Sequence, residues 1–247
     1  MNMKTIFYLL VALSLNIDIY GQDFVLKWKD IEVDSIIAID GDSFSKYIAK
    51  NMRYPVDAQE NQRFGTFLGC LRLDGKGNLV HVYIINSITK SIDNDFESLM
   101  LRTWKNNNVV TKNIDDTIDI VIPISFQLAN GPNSPTFSFH VDKQIAPVFI
   151  KESVTMVGYP YPPSNLKVES DQSLIETANA KYTAKKYKKC LNAVCELIRR
   201  NPYNPDLIFM RAKVYLNLEK NDLARRDYFY LKNFLNSEKY KKLEPCD

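Results

Sequence analysis

The chain is poor in residues that do chemistry. It holds two histidines in 247 residues, His81 and His140, and neither belongs to a Ser/His/Asp set, a metal-ligand cluster or a glycine-rich phosphate loop. His81 falls inside a predicted strand and His140 in a linker, so His81 reads as a packed or surface strand residue rather than a general base. Asp74, Asp93 and Asp95 stand where turns and helix starts use carboxylates. The expectation is a protein that is not an enzyme and carries no cofactor and no metal. The four cysteines, Cys70, Cys190, Cys195 and Cys246, show no CxxC spacing, which argues against zinc and leaves buried free thiols as the default. After the first twenty-odd residues no apolar run is long enough to span a bilayer. Nucleic-acid binding is also disfavoured, because the basic residues are spread along helices and the chain carries an export signal.

That signal is the first positive feature. "MNMKTIFYLLVALSLNIDIYGQ" has one cation, Lys4, an apolar run from Ile6 to Leu15 and the small residue Gly21. This is the pattern of a secretory signal peptide, residues 1–21, cleaved near Gly21–Gln22. The run is about half the ~20 residues a spanning helix needs, and Asn16 and Asp18 interrupt it; an uncleaved anchor is the alternative. Charge is uneven. From Ser173 onward 16 basic residues face 9 acidic ones, about +7, leaving about −4 for the rest of a chain of net charge +3. A solvated helical surface or an acidic partner would account for the basic part.

Residues 22–41 form an N-terminal segment with room for a short strand. Over 42–129 the periodicity predicts a compact α+β domain. Phe44, Tyr47, Ile48 and Met52 share one helical face, Asp42 or Ser43 can cap it, and Pro55 ends it. Strands follow at 64–73 and 79–86, joined by "DGKGN", whose glycines allow the positive φ of a tight turn. A second helix spans about Ile92 to Lys105, burying Phe96, Leu99, Met100, Thr103 and Trp104, with Ser91 or Asp93 as caps. The last strand, "TIDIVIPISFQL" at 117–128, alternates strictly: the even positions are all apolar and the odd ones mostly polar, as in a half-buried strand. Pro123 lacks an N–H, so the odd-numbered backbone groups face away from the sheet and this strand lies at an edge. That fold is a three-stranded antiparallel sheet packed on two helices. The open edge, Thr117, Asp119, Val121, Pro123, Ser125 and Gln127, would accept an extended peptide by strand addition or be merely protected by its proline. It would also serve a homodimer.

Residues 130–172 read as a Pro-rich linker in which "TFSFHV" and "PVFI" are candidate short strands. "YPYPP" is either a packed connector or an extended binding segment. The last part, 173–247, repeats. Leu174 and Ile208, Ala178 and Ala212, Cys190 and Ala224, Val194 and Tyr228, and Leu197 and Leu231 are each 34 apart. Two helices within a repeat of this period is the pattern of tetratricopeptide repeats. Two such units and a C-terminal tail form an all-α helical-hairpin repeat domain. Matching positions give a concave face of Ile175, Asn179, Tyr182, Phe209, Lys213 and Leu216, either a protein-binding surface or a helical prop for the first domain.

The first domain resembles the C-terminal domain of the TonB energy-transducer family. The residues that carry the resemblance are Tyr54–Pro55, "FGTF" around Gly65, "LDGKGNLVHVYIINS" at 73–87, Ile92–Asp93, Trp104 and "IPISF" at 122–126. The resemblance implies an exported protein of a Gram-negative envelope whose final strand, Thr117–Leu128, pairs with short extended segments of outer-membrane receptors. A transducer also needs an anchor and a long spacer, and only the short segment 22–41 separates the cleavage site from the first helix. The leading expectation is therefore a non-enzymatic periplasmic adaptor for protein or extended peptide segments. The alternative is a transducer component, anchored in the inner membrane and facing the periplasm, that links a proton-driven complex to outer-membrane receptors for transport.

Overall fold

The computed structural model describes residues 36–112, 117–129, 154–159 and 169–235. The expected signal peptide, most of the linker with its two candidate strands, His140 and Cys246 lie outside these residues. Among these residues the protein is mixed α+β, with two sheets. A small antiparallel sheet has the order β2–β1–β5, from β1 (Ile37–Ile39), β2 (Asp42–Ser43) and β5 (Val109–Thr111). The main sheet has the order β4–β3–β6–β7, from β3 (Gly65–Leu73), β4 (Leu79–Asn86), β6 (Ile118–Leu128) and β7 (Val154–Gly158). The three strands expected from the sequence, β3, β4 and β6, are thus joined by a fourth.

Local chemistry accounts for the elements that flank the main sheet. In α1 (Phe44–Asn51) the Ser43 hydroxyl accepts the Lys46 N–H at 3.4 Å, and Asp42 pairs with Lys46 and Lys50. Pro55 then precedes the short α2 (Val56–Glu60). Helix α3 (Lys90–Asn106) starts earlier than its sequence suggests, because Thr89 rather than Ser91 or Asp93 caps it, accepting from the Ile92 N–H. Between β3 and β4 the Asp74 carboxylate accepts from the Lys76 and Asn78 N–H groups, and Gly77 takes φ +80°. The Trp104 indole closes this turn onto α3 by donating to the Gly77 carbonyl at 3.0 Å.

Strands β4, β3 and β6 are antiparallel neighbours. The even residues Ile120, Ile122, Ile124, Phe126 and Leu128 of β6 join Phe67, Leu71 and Leu73 of β3 in one core. Phe44 and Ile48 from α1 and Ile92, Phe96 and Met100 from α3 complete it. Gly69 sits under the Phe96 ring, where a Cβ would lie 2.4 Å from two ring carbons.

The sheet is not half-buried. Its other face, with Leu68, Cys70 and Val121, packs into a second core built from four helices. These are α4 (Asp171–Thr183), α5 (Tyr187–Arg200), α6 (Pro205–Asn217) and α7 (Asn221–Phe229), the last continuing as a π-helical turn, Tyr230–Phe234. Helix α4 packs on α5, α5 on α6 and α6 on α7, while α5 also contacts β3.

Several caps and turn bonds of the two hairpins recur 34 residues apart. Ser170 and Asn204 cap α4 and α6 by accepting the N–H of Ser173 and Leu207. Lys185 and Glu219 both take left-handed backbone, φ 56° and 58°. The Lys186 and Lys220 N–H groups then close the turns onto the Lys181 and Tyr215 carbonyls at 2.8 and 2.9 Å.

Candidate functional site

Two sets of residues were candidates, and the structure treats them differently. On β6 the outward backbone edge is no longer free along its second half. Strand β7 pairs with it in parallel, Ile124 opposite Val154 through Leu128 opposite Gly158. The Ala129 N–H donates to the Gly158 carbonyl at 2.7 Å, so the odd-numbered amides of β6 do point to this side. Pairing begins one residue after Pro123, the position whose missing N–H breaks the ladder. Ser125 and Gln127 therefore lie inside the sheet rather than on an open edge. The linker hid the strand that covers them: "VTMVG" is short, and a parallel pairing across the linker leaves no local mark in the sequence.

The first half of that edge is not a free surface either. Thr117 is exposed, but Asp119 and Val121 are 7% and 2% exposed and Pro123 is buried. The odd side chains face the helical hairpins, and the polar ones bring partners with them. Asp119 stands opposite Arg72 in the β3–β6 register and takes a bidentate pair from it, 2.8 Å to each oxygen. This hydrogen bonding holds the Arg72 pKa above its ordinary value. Gln127 donates to the Ser125 hydroxyl at 3.3 Å. Beside them burial pushes the Cys70 thiol well up. Cys70, Cys190 and Cys195 are free thiols. His81 is exposed on β4, its ring 4.2 Å from that of Tyr83.

The helical face is a real cluster. Lys213, exposed on α6, holds its ammonium 5.1 Å from the Phe209 ring centre and 6.0 Å from that of Tyr182. Cation–π attraction of this kind fixes a charge without neutralising it, and among the described residues Lys213 makes no ion pair. Two aromatic residues absent from the predicted set extend the surface. Tyr187 meets Tyr182 edge-on at 5.8 Å, and Tyr228 meets Phe209 edge-on at 6.3 Å. Tyr187 follows the lysines of the α4–α5 turn, and its place beside Tyr182 depends on the hairpin closing. Of the predicted face, Tyr182, Phe209 and Lys213 come together. Ile175 and Asn179 are exposed and Leu216 is half-buried.

At the junction of sheet and helices lies a charged knot. Glu196 on α5 accepts from Arg199 and Arg200, whose guanidinium carbons each sit 5.2 Å from the Phe64 ring centre. Arg200 also reaches Asp171 at 2.7 Å and the Glu169 carbonyl at 2.8 Å. The Arg199 carbonyl abuts Gly65, where a Cβ would sit 2.4 Å away. Among the described residues no group of three or more His, Cys, Asp or Glu is placed to hold a metal ion, and no helix is long and apolar enough to cross a membrane. No protein-family model, curated protein or solved structure matches this chain.

Proposed function

We propose that this chain is a non-enzymatic, exported adaptor that holds a protein partner on the inner face of its helical hairpins. The observation that carries the reading is Lys213, an exposed cation seated over Tyr182 and Phe209 and flanked by Tyr187 and Tyr228. Aromatic anchors are where protein interfaces concentrate their binding energy, and an available charge beside them can set partner choice. The caps, turns and buried positions that recur from one hairpin to the next support a tetratricopeptide-like module. The order of helices and strands in 42–129, with Trp104 folded onto the β3–β4 turn, supports a TonB-like first domain.

A second reading rests on β7. The β6 edge already accepts an extended segment in parallel, supplied by the chain itself. Strand addition by a partner would then require displacing Val154–Gly158 or pairing with the outer side of that strand. A transducer role would need an anchoring N-terminus and a partner able to do this.

A photo-crosslinking residue at Phe209, in the full-length protein within its native envelope, tests the first reading. A discrete protein adduct that disappears with Lys213→Glu is expected. An adduct formed from Val157 and none from Phe209 would move the site to the sheet edge and overturn it.

A further inference from the structure

The first helical hairpin carries a charge pattern that its own folding does not call for. Between Glu176 and Glu196 there is no acidic residue, while lysines occupy 181, 185, 186, 188 and 189. Lys185, Lys186, Lys188 and Lys189 are exposed, and Lys181 is half-buried. They surround the α4–α5 turn, with Tyr182 and Tyr187 between them. Three features make this placement unfavourable for stability. Lys186, Lys188 and Lys189 crowd the N-terminus of α5, where the helix dipole favours anions, and the first turn of α5 has no acidic residue. Five like charges around one turn repel each other. Lys185 holds a left-handed φ of 56° that glycine or asparagine adopts at lower cost.

The second hairpin supplies the comparison. It builds the same turn, with the same backbone hydrogen bonds one repeat further on, yet has Glu219 in place of Lys185 and Asp222 in place of Lys188. The fold therefore accepts carboxylates at these two positions and does not itself require Lys185 or Lys188, while Lys186 is matched by Lys220. We infer that the α4–α5 turn is a docking surface for an anionic bilayer, its lysines meeting phosphate headgroups and its tyrosines lying at the headgroup level. The four exposed lysines lie at the turn and the first turn of α5, a convex end of the hairpin that fits a plane of many headgroups better than one peptide carboxylate. Their long stems extend the charges beyond the backbone while Tyr182 and Tyr187 stay packed edge-on. This inference shares Tyr182 and Tyr187 with the adaptor reading but rests on the lysines of the turn rather than on Lys213.

The test is co-sedimentation of the full chain with vesicles of phosphatidylglycerol and phosphatidylcholine in equal parts, against phosphatidylcholine alone. Binding to the anionic vesicles only, weakened by salt, is expected. The pair Lys185→Glu and Lys188→Asp, which copies the second hairpin, should lower partitioning by at least about 25-fold, about five-fold per lysine lost. Lys185→Gly separates charge from folding, because it relieves the backbone and should keep or raise the melting temperature while lowering partitioning about five-fold. Equal binding to neutral vesicles, or unchanged partitioning of Lys185→Gly, would overturn the inference. So would lysine-dependent binding to soluble polyglutamate or RNA with none to vesicles.

Discussion

Replacing Glu196 with glutamine tests whether the sheet and the helical hairpins form one cooperative unit. Glu196 is the shared acceptor for Arg199 and Arg200, whose side chains are 9% and 6% exposed against its own 21%. Arg199 Nη1 already lacks a hydrogen-bond partner, so after the substitution its charge is left in a largely dry site against Phe64. Breaking a buried ion pair from one side costs about 3–5 kcal/mol. Glu196 is partly wet and Arg200 keeps Asp171, so a loss of about 2–3 kcal/mol is expected here. The pH dependence follows from the folded-state shift. Burial pushes the Glu196 carboxyl up, but Arg199 and Arg200 outweigh it and hold it below its ordinary 4.5. A depressed folded value means the contribution is complete above about pH 4.5 and fades as pH falls through the folded value. Urea unfolding of both proteins, followed by far- and near-ultraviolet circular dichroism, should show the gap at pH 7 and its narrowing below pH ~4. Both signals should move together, because Glu196 sits where α5 meets β3. A gap under about 0.5 kcal/mol, the range of ordinary surface changes, would refute the reasoning. So would a gap that is unchanged in acid.

Further outcomes follow from the packing. Gly69→Ala should destabilise by about 1–3 kcal/mol, since its Cβ would enter the Phe96 ring, and Phe96→Leu in the same chain should recover part of that in urea midpoints. In β7 the Gly158 carbonyl points to β6, so the amides of even-numbered residues face the ladder. Met156→Pro should cost about 3 kcal/mol, while Val157→Pro, whose amide points outward, should cost clearly less by thermal melting. Asp119→Asn should lower stability by about 2 kcal/mol by leaving Arg72 half-paired, and Arg72→Met in the same chain should recover part of it. Independence of the two substitutions in a double-mutant cycle would count against the pair as drawn.

Much of this protein could be read from local pattern. Phe44 and Ile48 on α1, and Phe96, Leu99 and Met100 on α3, recur at helical spacing because one face of each helix must be buried. The even residues of β6 alternate because one sheet face must be. The 34-residue spacing between the hairpins is legible for the same reason: small residues such as Ala178, Ala212 and Ala224 are buried between helices. Of the candidate site, Tyr182, Phe209 and Lys213 were reachable from the repeat alignment, since each hairpin sets its own inner face.

What lay beyond reach depends on segments far apart in the chain. Polar residues at 119, 125 and 127 signalled water, but a polar side chain can be buried once it has a partner. Arg72 across the ladder, and the hydrogen bond between Gln127 and Ser125, supply that. Whether β6 ends the sheet was decided by Val154–Gly158, reached through the linker, and no periodicity in either segment records a pairing between them. Likewise, the lysines at 185–189 are visible to any reader of the chain. Only the matching backbone of the second hairpin, closed around Glu219 and Asp222, shows that the fold does not require Lys185 or Lys188, because the cost of a left-handed φ and of charge at a helix start is defined only once the turn has formed.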